Sequence, residues 1–155
     1  MGEHKPIGGV ELCELHFADS VEALSFESEG CDIEFADNGL EVRLMDDRST
    51  FVEKVECDKG VVKVTHTLRL VALRSDAEEW LDKEFIHRAT RSGVVARLAL
   101  NDGRGLIVGA SRHLTTEQPL RLESLVCDSG STPSDTPTVT LCLQSSDTAL
   151  ATAII

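Results

Sequence analysis

Apolar and polar residues alternate with a period of two in several parts of this chain, and this pattern constrains the fold most. The longest case is the segment Val61–Leu73. One of its faces would carry the side chains of Val62, Val64, His66, Leu68 and Leu70. The residues between them are polar or basic, namely Lys63, Thr65, Thr67 and Arg69. Because the side chains of a β-strand point to alternate faces, the pattern predicts a long strand with one buried and one wet face.

Shorter segments repeat this pattern or form compact apolar runs. The further predicted strands are Val10–Phe17, Glu22–Glu27, Leu40–Met45, Phe51–Cys57, Val94–Leu100, Leu106–Val108, Leu120–Glu123 and Thr138–Gln144. Two pairs of neighbouring strands are separated by Asp58-Lys59-Gly60 and by Asn101–Gly105. Asn, Asp and Gly tolerate the positive φ angles of tight turns, so both connections predict β-hairpins.

A helical period appears after the long strand. Ser75 and Glu78 have the spacing of a capping box, in which each side chain bonds a free amide of the first turn. The apolar stripe that follows consists of Ala77, Trp80, Leu81 and Phe85. We expect one amphipathic helix at about residues 76–91, ended by Gly93 and lying across a sheet.

These elements predict a mainly β fold of the α+β kind. We expect two packed antiparallel sheets, sandwich-like or barrel-like, with the one helix beside them. The chain has 155 residues, of which 41% are hydrophobic, so it can bury one core and is expected to form a single domain, residues 1–155. Residues 1–9 and 145–155 are candidate extended arms. The apolar tail 149–155 would pack either on its own domain or on a neighbouring subunit, and residues 127–138 are predicted to be a polar, mobile loop.

Negative charge is concentrated in the first part of the chain. The formal net charge is −12, and residues 1–60 contain sixteen acidic and five basic residues. This sign opposes the binding of phosphate groups, so tight binding to nucleic acid or to anionic membranes is disfavoured. The acidic residues either keep a small domain soluble or form a functional negative surface.

The cysteines indicate a reducing compartment. They are odd in number and lack a CxxC spacing, and they are Cys13, Cys31, Cys57, Cys127 and Cys142. Free thiols are the simplest interpretation. The first residues lack the apolar stretch of a signal peptide, and no apolar segment reaches membrane-spanning length. We therefore expect a cytoplasmic protein with no membrane partner.

The histidines offer few chemical constellations. Cys13 and His16 have the spacing of metal ligands, but an offset of three on a strand places them on opposite faces, and no second Cys/His pair lies nearby. His66 lies on the apolar face of the long strand and is interpreted as a core histidine held by one hydrogen bond. His87 would favour the carboxyl end of the predicted helix. The histidines without a recognisable partner in the sequence are His4 and His113.

The carboxylate and glycine motifs are equally unspecific. Three acid pairs would serve hydrolysis, cation binding or simply a solvated face, and they are Asp46-Asp47, Asp32/Glu34 and Glu27/Glu29. Their spacing lacks the glycine of a calcium loop. Gly8-Gly9 and Gly103-Arg104-Gly105 lack the strand and helix of a nucleotide cradle. The residues therefore predict no catalytic, cofactor-binding or metal-binding site and no cofactor.

The second half of the chain, roughly residues 61–148, resembles structural proteins encoded by prophages, of the tail-tube-like kind. The resemblance rests on the order of its segments. These are Val64–Leu70, Trp80 and Phe85, Gly93–Leu98, Asn101–Gly105, Leu106–Gly109, Gln118–Ser124 and Thr138–Thr148.

The resemblance implies a sandwich-like or barrel-like β fold with a flanking helix. It implies a non-enzymatic protein that assembles with copies of itself into rings or a tube, partly through sheet edges that meet between neighbours. Other particle proteins would be its further partners, in a tail-tube, neck or adaptor role, and assembly would take place in the host cytoplasm. A negative tube lumen would keep DNA from adhering, which accounts for the acidity.

Two other functions remain open from the residues. The second hypothesis is a monomeric, acidic, intracellular binding domain for a basic protein partner. The third hypothesis is a small thiol or hydrolytic enzyme whose Cys, His and Asp residues meet only in the fold. A cavity that brings such groups together would favour the enzyme, and open sheet edges would favour assembly.

Overall fold

The computed structural model describes residues 9–27, 30–45, 48–110, 117–147 and 150–153. The strands within them are β1 (Val10–Phe17), β2 (Val21–Glu27), β3 (Gly30–Phe35), β4 (Leu40–Val42), β5 (Thr50–Asp58), β6 (Val61–Leu73), β7 (Val94–Leu100), β8 (Gly105–Val108), β9 (Arg121–Asp128), β10 (Thr138–Asp147) and β11 (Thr152–Ala153). The helices are α1 (Arg74–Ala77) and α2 (Lys83–Arg91), and Ala18–Ser20 forms a 3₁₀ turn. The predicted mainly β, sandwich-like class is confirmed.

The strands form three antiparallel sheets in layers. A five-stranded sheet in the order β11-β8-β7-β1-β4 and a four-stranded sheet in the order β5-β6-β10-β9 enclose the main core. A two-stranded sheet, β2-β3, covers the other face of the five-stranded sheet and encloses a second core. The five-stranded sheet is therefore the middle layer. The two packed sheets were predicted from the sequence, and the third layer was not.

This layering explains why the apolar pattern differs between strands. Val94, Val95 and Ala96 of β7 are all buried, because Val94 and Ala96 face the main core and Val95 faces the second core. A strand covered on both faces is apolar at every position. In β6, by contrast, Val64 and Leu68 are buried in alternation with partly or fully exposed residues. The predicted wet face of this strand is confirmed.

Both predicted hairpins form. β5 and β6 pair antiparallel from Thr50 opposite Arg69 to Asp58 opposite Val61, and Lys59-Gly60 joins them with positive φ at both residues. β7 and β8 pair in the same way around residues 101–104. Within the described residues, the far end of the β5–β6 hairpin extends beyond the part of β6 that pairs with β10.

The helical region differs from the prediction at its start. The residue before α1, Leu73, gives no side-chain cap, so the predicted capping box at Ser75 is wrong. The longer helix α2 begins after Asp82, whose side chain accepts a hydrogen bond of 2.7 Å from the amide of Phe85. Asp82 supplies the cap that an N-terminal helical turn requires. The predicted helix at about 76–91 therefore consists of two helices with a turn between them.

The described part of the C-terminal tail packs on its own domain. Thr152 and Ala153 pair with β8, and the amide of Ala151 donates to Glu53 Oε2 at 2.7 Å. Residues 145–147 belong to β10 and pair with β6, so five of the described residues of the candidate C-terminal arm, 145–147 and 152–153, lie within the sheets. Residues 1–8 of the candidate N-terminal arm lie outside the described residues.

Candidate functional site

His16 lies at the centre of a polar cluster on the face of β1 that is turned toward β3. Its Nδ1 lies 2.5 Å from Oδ1 of Asp37, and its Nε2 contacts Oε1 of Glu14. Glu14 shares this face because it lies two residues away on the same strand. Asp37 comes from the loop after β3. The imidazole is buried, with 3% of its surface exposed, whereas both carboxylates reach solvent.

Phe35 and Gly39 fix the position of the imidazole. The rings of His16 and Phe35 stack, with centroids 3.5 Å apart and planes at 7°. A Cβ atom at Gly39 would lie 2.5 Å from the imidazole, and Gly39 has a φ of +74°. The loop backbone therefore approaches the ring more closely than any residue with a side chain would allow.

The hydrogen bonds of His16 indicate a cross-link and argue against a general base. A carboxylate only accepts hydrogen bonds, so a ring that meets two carboxylates donates from both nitrogens. A general base needs a free lone pair directed at the substrate proton. The cluster instead ties β1 of the middle layer to the loop that follows β3.

Asp37 makes the stability of this cluster depend on pH. Burial would raise the pKa of Asp37, but hydrogen bonds from His16, Ser20 and the backbone of Gly39, together with the charge of His16, outweigh it and lower that pKa below its ordinary value. A carboxyl whose pKa is lower in the folded than in the unfolded state stabilises the fold above about pH 4, and this contribution is lost as the pH falls through the folded-state pKa.

We expect the Asp37→Asn protein to be less stable than the wild type at pH 7, and the difference in stability to be smaller at pH 3. The reason is that protonation of Asp37 at low pH removes the stabilisation by its carboxylate from the wild type, and the variant lacks that stabilisation at every pH. Urea denaturation at the two pH values measures the difference. A deficit that is the same at both values would contradict the role given to Asp37.

A cavity of about 360 Å³ opens beside this cluster. It lies between the end of β1, the loop before β4 and the segment around the start of α2. Its apolar lining consists of Leu15, Phe17, Leu40, Trp80, Phe85 and Val94. Its acidic lining consists of Asp37, Asp82 and Glu84. Aromatic faces beside carboxylates suit a cationic group with an apolar body.

Cys13 and His16 lie on opposite faces of β1, as predicted. Cys13 belongs to the main core, where burial and the charge of Glu14 raise the pKa of its thiol. A thiol with a raised pKa stays protonated and is a poor nucleophile. Within the described residues, no group of three or more His, Cys, Asp or Glu side chains is placed to hold a metal ion.

His66 is a buried core histidine, and the predicted hydrogen bond is present. Its Nδ1 lies 3.4 Å from Oγ of Ser145. Its Nε2 lies 3.2 Å from Oε2 of Glu53 but lacks the angle of a hydrogen bond. The order Ser145, His66 and Glu53 has the composition of a hydrolase triad. Ser145 is itself buried, however, and pairs with His66 on the neighbouring strand, so the arrangement ties the C-terminal segment to the sheet and offers no exposed nucleophile.

The other residues considered from the sequence do not converge on one place. All five cysteines are free, and none lines the cavity beside His16. His87 lies in the middle of α2, and the last turn carries Arg88 and Arg91 instead, so its predicted place at the helix end is wrong. Asp32 and Glu34 are exposed on β3. The candidates outside the described residues are His4, Gly8, Glu29, Asp46, Asp47 and His113.

The far end of the β5–β6 hairpin is a second candidate site. The ten residues 54–63, hereafter the hairpin tip, are all exposed. Within the described residues, β10 pairs with β6 only as far as Val64. Three valines in the tip are largely uncovered, namely Val55 at 49%, Val61 at 68% and Val62 at 43%.

The two faces of the hairpin tip have different chemistry. Val55 lies opposite Val64, and Cys57 lies opposite Val62, so these side chains share the face that packs into the core farther along β6. The other face has Glu56 opposite Lys63. Within the described residues, the apolar face of the hairpin thus continues beyond the last residue of β6 that pairs with β10.

Comparison with known proteins gives no relative: no protein-family model, curated protein or solved structure matches this chain. In the part of the chain that the structure describes, no helix combines the length and apolarity needed to cross a membrane.

Proposed function

We propose that this chain is a structural protein that assembles with copies of itself into rings or a tube, as a tail-tube, neck or adaptor component of a phage-derived particle. The observation that carries the proposal is the hairpin tip, whose apolar face is largely exposed within the described residues. The proposed role requires neither catalysis nor a cofactor.

A hairpin of two strands is marginally stable in water by itself. Val55, Cys57 and Val62 add exposed apolar surface to such a hairpin, and regular β structure with an apolar face promotes association. Contact with another chain would bury this face and hold the hairpin in place. The tip therefore has the physical properties of an assembly element.

Open strand edges support the same proposal. Within the described residues, β5 and β9 lie at the two ends of the four-stranded sheet, and β4 lies at one end of the five-stranded sheet. Edge strands carry unpaired amide and carbonyl groups that pair readily with a strand of another subunit. Assembly through sheet edges is what the resemblance to tail-tube-like proteins implies.

The outer two-stranded sheet supplies a negative surface. Glu22, Asp32 and Glu34 are exposed on it, and residues 21–35 contain neither Lys nor Arg. A ring would repeat these charges around its axis and repel phosphate. The same surface favours a second candidate function, a monomeric binding domain for a basic protein. The oligomeric state distinguishes this function from the self-assembling structural protein.

We expect the wild-type protein to form oligomers as its concentration rises and the Val62→Lys protein to remain monomeric. Lysine at this partly exposed position leaves the fold intact but places a charge in the proposed contact. Sedimentation velocity at several concentrations, with negative-stain microscopy of the largest species, measures the effect.

The matched control is Ile86→Lys, which makes the same kind of change at a side chain of similar exposure, 37%, on α2. This protein should assemble like the wild type. A wild type that remains monomeric at high concentration would contradict the proposal and leave the binding-domain alternative.

A further inference from the structure

We infer that the hairpin tip of one copy docks into the acidic, aromatic cavity of the next copy, with the ammonium group of Lys59 entering the cavity. The inference rests on the proposed function and names the receptor site for the hairpin.

The two surfaces lie toward opposite ends of one strand. β6 begins at Val61, beside the turn that holds Lys59, and ends at Leu73. Thirteen extended residues span about 40 Å. The segment that follows β6 directly contains Trp80 and leads to Glu84, and both line the cavity. The hairpin tip and the cavity are therefore two distinct surfaces of the chain that share no residue.

Lys59 is accessible to another chain. It occupies the turn of the hairpin with a φ of +50°, is exposed, and forms no ion pair within the described residues. The tip contains three lysines, Lys54, Lys59 and Lys63, against the two acids Glu56 and Asp58, so its net charge is +1 in a chain of net charge −12.

The cavity has the complementary chemistry. Asp37 is occupied by His16, and Asp82 caps α2, but Glu84 forms no hydrogen bond or ion pair within the described residues. An ammonium group entering beside Trp80 would gain a cation–π contact and a carboxylate partner. The four-carbon stem of lysine would lie against Leu40 and the aromatic rings.

A contact between two different surfaces of the same chain is heterologous, and repeated heterologous contacts close into rings or continue as filaments. A symmetric dimer would instead make the two contacts reciprocally, with the hairpin of each copy in the cavity of the other. The size of the largest species therefore distinguishes extended assembly from a closed two-fold pair.

The test is a charge exchange between Lys59 and Glu84. We expect Lys59→Glu and Glu84→Lys each to weaken association by at least about tenfold, because each places like charges together. The protein that carries both substitutions should recover most of the association. The matched controls are Lys54→Glu in the hairpin and Glu79→Lys outside the cavity lining, which make the same charge changes and should have smaller effects.

Trp80 provides a local readout, because it is the single tryptophan of the chain and lines the cavity. Its emission should change with concentration in the wild type and in the double variant, but not in either single variant. If the wild type assembles while neither reversal weakens association nor affects Trp80, the inference is wrong and the proposed function stands. A wild type that never assembles would overturn both.

Discussion

The Gly93→Ala protein is expected to be less stable than the wild type by roughly 3 kcal/mol, since two costs add at this position. Gly93 ends α2 with a φ of +82°, and its amide donates to the carbonyl of Arg88 at 2.9 Å. A Cβ there would lie 2.6 Å from Cγ of Pro119 and 2.7 Å from the carbonyl oxygen of Leu120. Leu120 is held in turn by two backbone hydrogen bonds with Val94, at 2.8 and 3.0 Å, so it cannot yield easily.

Gly103→Ala separates the two costs. Gly103 has a similar φ of +93°, but a Cβ there would meet nothing within 4 Å. This variant should lose only about 1 kcal/mol of stability, which is the cost of a left-handed backbone conformation at a residue with a side chain. Urea denaturation of both proteins, followed by circular dichroism, gives the comparison. Equal losses would show that the contact of Gly93 with residues 119–120 has no energetic importance.

The His16→Ala protein is expected to lose roughly 2 to 3 kcal/mol of stability. Removing one partner of a buried ion pair costs about 3–5 kcal/mol, and the solvent exposure of Glu14 and Asp37 reduces that figure here. The substitution also removes the ring that stacks on Phe35 and contacts Gly39. Two carboxylates would then face each other without a cation between them.

His16→Phe distinguishes packing from charge in this cluster. Phenylalanine keeps a ring against Phe35 but offers no donor to either carboxylate. If the hydrogen bonds dominate, His16→Phe should be destabilised almost as much as His16→Ala. A fully stable His16→Phe protein would mean that the ring contributes by its shape, and that the ionic cross-link between layers has little effect.

The layers could have been predicted more fully than they were. Continuous apolar runs such as Val94-Val95-Ala96 indicate a strand covered on both faces, and strict alternation such as that of β6 indicates one covered face. Together they predict that β7 is central and β6 is outer. β3 was not predicted because its alternation is short and lies among acidic residues. Its apolar face is buried only through contact with Val95 and Ile107, which are distant in the sequence.

The two sites differ in how far the sequence reveals them. Glu14 and His16 share a strand face, so half of the polar cluster follows from their spacing. Asp37 is 21 residues away from His16, and nothing local assigns it to that ring. The cap at Asp82 was missed because Ser75 and Glu78 fit the capping pattern equally well, and packing decided between them.

The central claim is that a second copy covers the hairpin tip, and amide hydrogen exchange at residues 54–63, measured across a range of protein concentrations, tests it most directly. Two-stranded structure without further support opens readily, so these amides should exchange quickly in dilute protein. They should become protected as the concentration rises, while the amides of β7 stay protected throughout. Exchange at the hairpin tip that is equally fast at every concentration would contradict the account.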